Sequence, residues 1–132
     1  MLYTHKTVND FAKDPAVAEF TGRWLLYHSV WDEKKRLGVG IAVSDDGENF
    51  EYIGNLPLTL DCEENGVGAP AALVYNDRLH LFYQTYGNGK LDAICHAVSE
   101  DGVNFEKVGV SPVFAPREPF CEMPDWSCGR AI

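Results

Sequence analysis

The chain reads as all-β: two four-stranded blades of an incomplete β-propeller. Three observations predict this. The sequence repeats itself at one fixed offset. Each copy breaks into short apolar runs separated by turn residues. No segment carries sustained helical periodicity. The clearest copy is Val43-Ser44-Asp45-Asp46-Gly47-Glu48-Asn49-Phe50-Glu51, which returns as Val98-Ser99-Glu100-Asp101-Gly102-Val103-Asn104-Phe105-Glu106, an offset of 98 − 43 = 55. The same offset carries Pro15 to Pro70, Arg23 to Arg78, Leu26 to Leu81 and Gly54 to Gly109, with no insertion between Asp14 and Asn55.

Each unit supplies four strands in order. Residues 16–20 and 71–75 form the innermost strands, where small side chains suit a crowded axis. Thr21-Gly22 and Asn76-Asp77 turn the chain into second strands at 24–28 and 79–83. Residues 39–43 and 94–98 are the third strands. Asp46-Gly47 and Asp101-Gly102 follow as hairpin turns, with Asp capping the turn and Gly taking a positive φ. Phe50 and Phe105 then open the last strand of each unit. Blade one spans 11–55 and blade two 66–110. Residues 111–132, rich in proline and acid and too long for an ordinary loop, form a connection into a third blade. Two blades leave apolar end faces uncovered. The chain is therefore expected to be an N-terminal piece of a longer protein, or to self-associate through its open blade faces.

Composition bounds the partners. Of 132 residues, 45% are apolar, enough for a packed core rather than a disordered chain. Eleven basic and twenty acidic residues give a net charge of −9, which argues against nucleic acid and against anionic membrane surfaces. A neutral ligand such as a sugar is compatible with it. No apolar run reaches the roughly 18 residues that span a bilayer. No basic patch followed by an apolar core marks a signal peptide, so a cytoplasmic location is expected. The four cysteines, Cys62, Cys95, Cys121 and Cys128, form no CxxC pair and read as reduced thiols. With His96 the one obvious extra ligand, no metal site is expected.

The repeat also isolates a candidate for chemistry. Asp14-Pro15-Ala16 in unit one faces Ala69-Pro70-Ala71 in unit two: the scaffold keeps proline and a small residue but exchanges a carboxylate for a methyl group. A carboxylate at the start of an innermost strand points into the axial funnel, where it can act as general base or fix a sugar hydroxyl. The plainer alternative is that Asp14 caps the turn before Pro15. Strand direction brings His28, Trp31, Gln84 and Tyr86 to the same funnel mouth, with residues 66–68, and sends both Asp-Gly turns to the opposite rim. Aromatic faces beside amides suit sugar binding, although Trp31 and Tyr86 equally suit packing at blade edges. His28 and His96 read as structural histidines, and residues 61–64 (Asp-Cys-Glu-Glu) as a solvated loop. Glu122 and Asp125 could enter the site from the long connection. Glycine-rich phosphate loops and GxSxG elbows are absent.

These residues resemble the five-bladed β-propeller glycosidases, most closely glycoside hydrolase family 43 and its relatives. The resemblance rests on the order and spacing of Lys13-Asp14-Pro15-Ala16-Val17, Gly22-Arg23-Trp24-Leu25-Leu26-Tyr27-His28-Ser29, the segment Gly38 to Gly47, Gly68-Ala69-Pro70, Leu81-Phe82-Tyr83-Gln84-Thr85-Tyr86-Gly87 and the second SxDGxxF copy. It implies inverting hydrolysis of a glycosidic bond in an oligosaccharide, with Asp14 as general base. Some relatives hold a channel metal ion such as calcium; no other cofactor is implied. Where the family usually has Trp-Ala-Pro-Asp, this chain has Gly68-Ala69-Pro70-Ala71, which leaves the substrate class open. The family's third-blade aspartate would follow Ala131-Ile132, and the general acid, a fourth-blade glutamate, has no counterpart here. The isolated chain is therefore expected to be an inactive fragment of a glycosidase. The rival reading is a non-catalytic carbohydrate-binding or assembly module.

Overall fold

A computed structural model of the chain describes residues 11–109 and 112–115. Most of the connection at 111–132, including Cys121, Glu122, Asp125 and Cys128, lies outside the described residues. Two four-stranded antiparallel sheets make up the fold, each with its strands in sequence order. Blade one contains β1 (Lys13–Phe20), β2 (Arg23–Trp31), β3 (Leu37–Ser44) and β4 (Glu51–Asn55). Blade two contains β5 (Val67–Tyr75), β6 (Arg78–Thr85), β7 (Ile94–Ser99) and β8 (Glu106–Lys107). Among the described residues the helical segments are two single 3-10 turns, Asp61–Glu63 and Gly89–Leu91. The strands outrun the apolar runs that announce them. Backbone pairing in β1 and β2 continues to the Lys13–Ser29 pair, where side-chain polarity no longer marks the strand.

Turn chemistry explains the repeated hairpins. Thr21 and Gly22 have φ of 53° and 74°, and Asn76 and Asp77 have 49° and 55°. Both central residues are left-handed, the geometry that matches the twist of paired strands. In the SxDGxxF turn, Asp46 Oδ1 accepts the N–H groups of Glu48 and Asn49, each at 2.8 Å, and the Ser44 hydroxyl at 2.8 Å. The bonds from Asn49, Glu48 and Ser44 hold the Asp46 carboxyl well below the usual range. Asp101 is bonded in the same way by Val103, Asn104 and Ser99. Those bonds outweigh the burial that would raise its pKa. These carboxylates are committed to their own turns.

The two sheets share one core. Leu25, Tyr27, Ile41 and Val43 of blade one cluster with Leu79, Leu81, Tyr83, Cys95 and Ala97 of blade two. Tyr27 is fully buried, and its hydroxyl crosses to donate to the Gly102 carbonyl at 2.6 Å. Phe105 meets the Tyr27 ring edge-on, with centroids 5.8 Å apart. Leu73, Val74 and Tyr75 at the end of β5 are exposed, as are Val17 and Ile53 of blade one.

The segment joining the blades corrects one expectation. Residues 61–64 are not simply a solvated loop, because Glu63 is fully buried. Its Oε1 accepts the Tyr83 hydroxyl at 2.5 Å and pairs with Lys107 Nζ at 2.7 Å. Its Oε2 accepts the N–H groups of Thr59 and Leu60 at 2.8 and 3.0 Å. Burial alone would raise the Glu63 pKa, but the bonds from Lys107, Tyr83 and Leu60 outweigh it and the pKa falls. A carboxylate with this many donors can leave water without remaining unpaired.

Two outcomes follow from this packing. A β-carbon at Gly102 would lie 2.1 Å from Leu25 Cδ1, whereas at Gly47 its nearest neighbour is Trp24 Nε1 at 3.1 Å. Both glycines have positive φ, so Gly47→Ala should cost about 1–2 kcal/mol from backbone alone. Gly102→Ala should cost about 1–3 kcal/mol more through overpacking, read as a lower urea midpoint at unchanged m-value. Glu63 should also give the protein an acid limb. Its folded pKa lies below its unfolded value of about 4.3, so its contribution is complete above that pH and is lost as pH falls through the folded pKa. Urea titrations between pH 3 and 7 should show that loss in the parent protein and a flatter profile in Glu63→Gln.

Candidate active site

The feature that sets up the site is a bulge. In blade one, Lys13 pairs with Ser29 and Ala16 with Tyr27, so the inner strand carries one extra residue between these pairs. In blade two the same slip falls between the Gly68–Gln84 and Ala71–Phe82 pairs. Asp14 and Ala69 occupy equivalent places in the two bulges, with φ of 53° and 48°. Each is a non-glycine residue in the left-handed region, directly before a proline that restricts it further. Holding such a conformation costs about 1–3 kcal/mol and needs surrounding structure to enforce it. Pro15 and Pro70 are tolerated inside these strands because a bulge releases the ladder position where an N–H is missing.

Ser29 ties the two bulges together. Its hydroxyl donates to Asp14 Oδ2 at 2.9 Å, and its oxygen accepts the Ala69 N–H at 2.8 Å. Ser29 is buried, so the Ala69 half of the bridge is shielded from water while the Asp14 half is partly open to it. Gly68 permits the approach, because a β-carbon there would sit 2.9 Å from Ser29 Oγ and 3.2 Å from Tyr86 Cε2. Tyr86 donates its backbone N–H to the Gly66 carbonyl at 2.9 Å. Asp14 is itself half-exposed, with Lys13 Nζ 3.8 Å from Oδ2, a pair open to solvent and weak. Its contacts among the described residues fall on Oδ2. Oδ1 is therefore available to accept a proton from water or a hydrogen bond from a sugar hydroxyl.

The other expected residues lie at varied distances from this bridge. His28 is buried, and its Nδ1 stands 3.2 Å from the Ser29 carbonyl. Its ring crosses β3 over Gly40, where a β-carbon would come within 2.7 Å of it. With Ala12, Lys13, Pro15 and Leu26 it lines a cavity of about 230 Å³ beside the start of β1. Trp31 packs on Phe11, with centroids 5.4 Å apart. It lines a different and larger groove of about 640 Å³, with Asp32, Arg36, Tyr52 and Asn55. Gln84 pairs with Gly68 in the ladder and is buried, and its Oε1 has no hydrogen-bond partner among the described residues. Another cavity, about 290 Å³, lies at the opposite rim beneath Asp101 and Asn104. His96 stacks on Phe82 with centroids 4.3 Å apart, and its Nε2 is 3.0 Å from His80 Nδ1. Burial, then the charge on His80, lowers its pKa. Ser29 was missing from the residues that sequence reasoning singled out. The available signal was its repeat counterpart, since Ser29 maps onto Gln84 at the offset of 55. Among the described residues, no group of three or more His, Cys, Asp or Glu side chains is placed to hold a metal ion.

No protein-family model matches the chain, and no curated protein does. Solved structures do. Fructan 1-exohydrolase IIa from Cichorium intybus superposes with a TM-score of 0.71 at 14% identity, over 92% of this chain and 25% of that one. A family 117 glycoside hydrolase from the marine bacterium Zobellia galactanivorans gives 0.64 at 20% identity, over 81% and 34%. The native Bacillus subtilis arabinanase gives 0.62 at 19% identity, over 83% and 41%. The likeness is one of fold: the two sheets are blades of the kind found in five-bladed propeller glycosidases. The match covers between 25% and 41% of the length of these structures.

The Ser29 bridge makes a sharp expectation. Ser29→Ala removes the Asp14 partner and leaves the Ala69 N–H without an acceptor, which should cost about 1–3 kcal/mol. Amide hydrogen exchange at Ala69 should accelerate with it, while exchange at the Asp46 and Asp101 turns stays unchanged.

Proposed function

We propose that these blades are the base-bearing part of a glycoside hydrolase resembling family 43, acting on a glycosidic bond in a plant or algal oligosaccharide. One observation carries the reading. Two equivalent bulges hold the same strained backbone, and only the one in blade one carries a carboxylate, at Asp14. Asp14 is the general base in this proposal. Oδ2 is oriented by the Ser29 hydroxyl, and Oδ1 takes a proton from the attacking water. Inversion needs a second carboxyl about 6.5–9.5 Å away, on the leaving-group side, to protonate the departing oxygen. In this reading that acid comes from a further blade, as the family resemblance implies.

Two features of blade two support a closed propeller. The end of its inner strand exposes Leu73, Val74 and Tyr75. Its Gln84 also stands where blade one has Ser29, whose oxygen receives a backbone N–H from the following blade. The Gln84 Oε1, buried and without a partner among the described residues, fits the matching amide of a third blade. His28, Trp31 and Tyr86 are proposed as sugar-contacting residues at the mouth. The substrate is a neutral carbohydrate in this reading; one neighbour of this fold, the Cellvibrio cellulosa α-L-arabinanase, was solved with arabinohexaose.

The test is turnover in a propeller completed around these blades. Asp14→Asn should lower kcat on aryl glycosides by about 10²–10⁴ with little change in KM. The 132-residue chain alone should show none. Undiminished turnover in Asp14→Asn would overturn the assignment. Sugar binding without turnover, indifferent to Asp14→Asn, would instead support a binding module.

A further inference from the structure

The sulfur atoms of Cys62 and Cys95 lie 3.7 Å apart, in van der Waals contact, and neither is in a disulfide. Thirty-three residues separate them in sequence. Cys62 sits on the 3-10 turn between the blades and is partly accessible, while Cys95 lies on β7 and is fully buried. We infer that Cys62 and Cys95 are a redox pair, oxidised by peroxide to a disulfide that fastens the inter-blade segment to blade two.

The approach of the two sulfurs is built rather than incidental. The Cys62 carbonyl accepts Asn88 Nδ2 at 2.8 Å, and Asn88 is held in turn by Asn65 and Asp92. The next residue is Glu63, whose buried carboxylate is gripped by Tyr83, Lys107 and two backbone N–H groups. The turn carrying Cys62 is therefore fixed on both sides against the sheet that carries Cys95. The scaffold itself does not ask for a thiol at Cys95, because blade one has Gly40 at the equivalent place in β3. A β-carbon at Gly40 would collide with His28. In blade two the partner across the ladder is Tyr83, and a thiol fits beside it.

The chemistry balances with hydrogen peroxide as the named oxidant. The accessible Cys62 sulfur, its thiol proton given up, attacks the peroxide and breaks the O–O bond, giving a sulfenic acid and a hydroxide that takes up that proton as the first water. The Cys95 sulfur then attacks the Cys62 sulfur, forming the S–S bond and expelling the sulfenic oxygen as a second water. Two thiols are oxidised by two electrons, and one peroxide is reduced to two waters. The sulfurs need only close from 3.7 Å to about 2.05 Å.

The experiment treats the folded 132-residue chain with hydrogen peroxide near neutral pH and blocks remaining thiols with iodoacetamide in denaturant. Peptides are then mapped by mass spectrometry without reduction. The expected product is a Cys62–Cys95 linked peptide about 2 Da lighter than the sum of its parts. It should vanish on adding dithiothreitol and in Cys62→Ser, and it should persist in the Cys121→Ser/Cys128→Ser variant. The oxidised protein should melt at a higher temperature than the reduced one. The inference fails if both residues come back separately alkylated. It fails if Cys62 proceeds to sulfinic acid while Cys95 stays a thiol, or if the same link forms as fast in urea. Circular dichroism of Cys62→Ser, whose side chain is partly exposed, confirms that loss of the link is not loss of the fold.

Discussion

Tyr27 reaching across to Gly102 marks the contact on which the rest of the structure depends. A single blade has two faces to cover and cannot cover either by itself. Here blade one turns Leu25, Tyr27 and Ile41 against Leu79, Leu81 and Tyr83 of blade two, and the buried phenol is satisfied by a carbonyl on the neighbouring blade. Burial pushes the Tyr27 hydroxyl far up, so it remains a donor. Once this face is closed, the geometry between the sheets is no longer adjustable. The start of β5 then delivers the Ala69 N–H to Ser29, and Ser29 can orient Asp14. The Glu63 cluster serves the same end from the outer side by binding the inter-blade segment to Tyr83 and Lys107.

The repeat is a scaffold used twice with different content. The backbone of the bulge is duplicated down to the left-handed residue before proline, but the side chain there is a carboxylate in one copy and a methyl group in the other. Equivalent ladder positions diverge similarly: His28 over Gly40 in blade one becomes Tyr83 beside Cys95 in blade two. The first pair lets a histidine lie flat across β3 next to the cavity at β1. The second commits a tyrosine to the Glu63 cluster, where burial and the Glu63 carboxylate keep its hydroxyl protonated. The SxDGxxF turns at the far rim share one hydrogen-bond pattern, and the second of them also receives the Tyr27 hydroxyl from blade one.

Much of this was legible in the residues. The offset of 55, the Asp-Gly turns and the apolar runs together specify eight strands in two sheets, because local turn chemistry and period-two patterning need no distant partner. Asp14 stood out because its repeat partner lacks a carboxylate. Three things were less visible, for a common reason. Ser29 is an unremarkable residue until the register places it opposite Lys13, beside the next blade. Glu63 looks like one acid in an acidic stretch, since the donors that bury it come from positions 83 and 107. The extension of β1 back to Lys13 is invisible to hydrophobicity because it is held by backbone bonds. The prolines at 15 and 70 were the available hint, as proline inside a strand marks a bulge.

The most direct measurement is a backbone amide NMR titration of the chain with arabinohexaose and, separately, with an inulin-type fructo-oligosaccharide. If the mouth around Asp14 is where sugar binds, the resonances that move should be those of Asp14, Ser29, Gly68 and Ala69, because the Ala69 N–H senses the Asp14 carboxylate through one shared hydroxyl. Those movements should be lost in Asp14→Asn. Shifts confined to the Asp46 and Asp101 turns would contradict the account, since they would place the sugar away from the only carboxylate that the two bulges do not share.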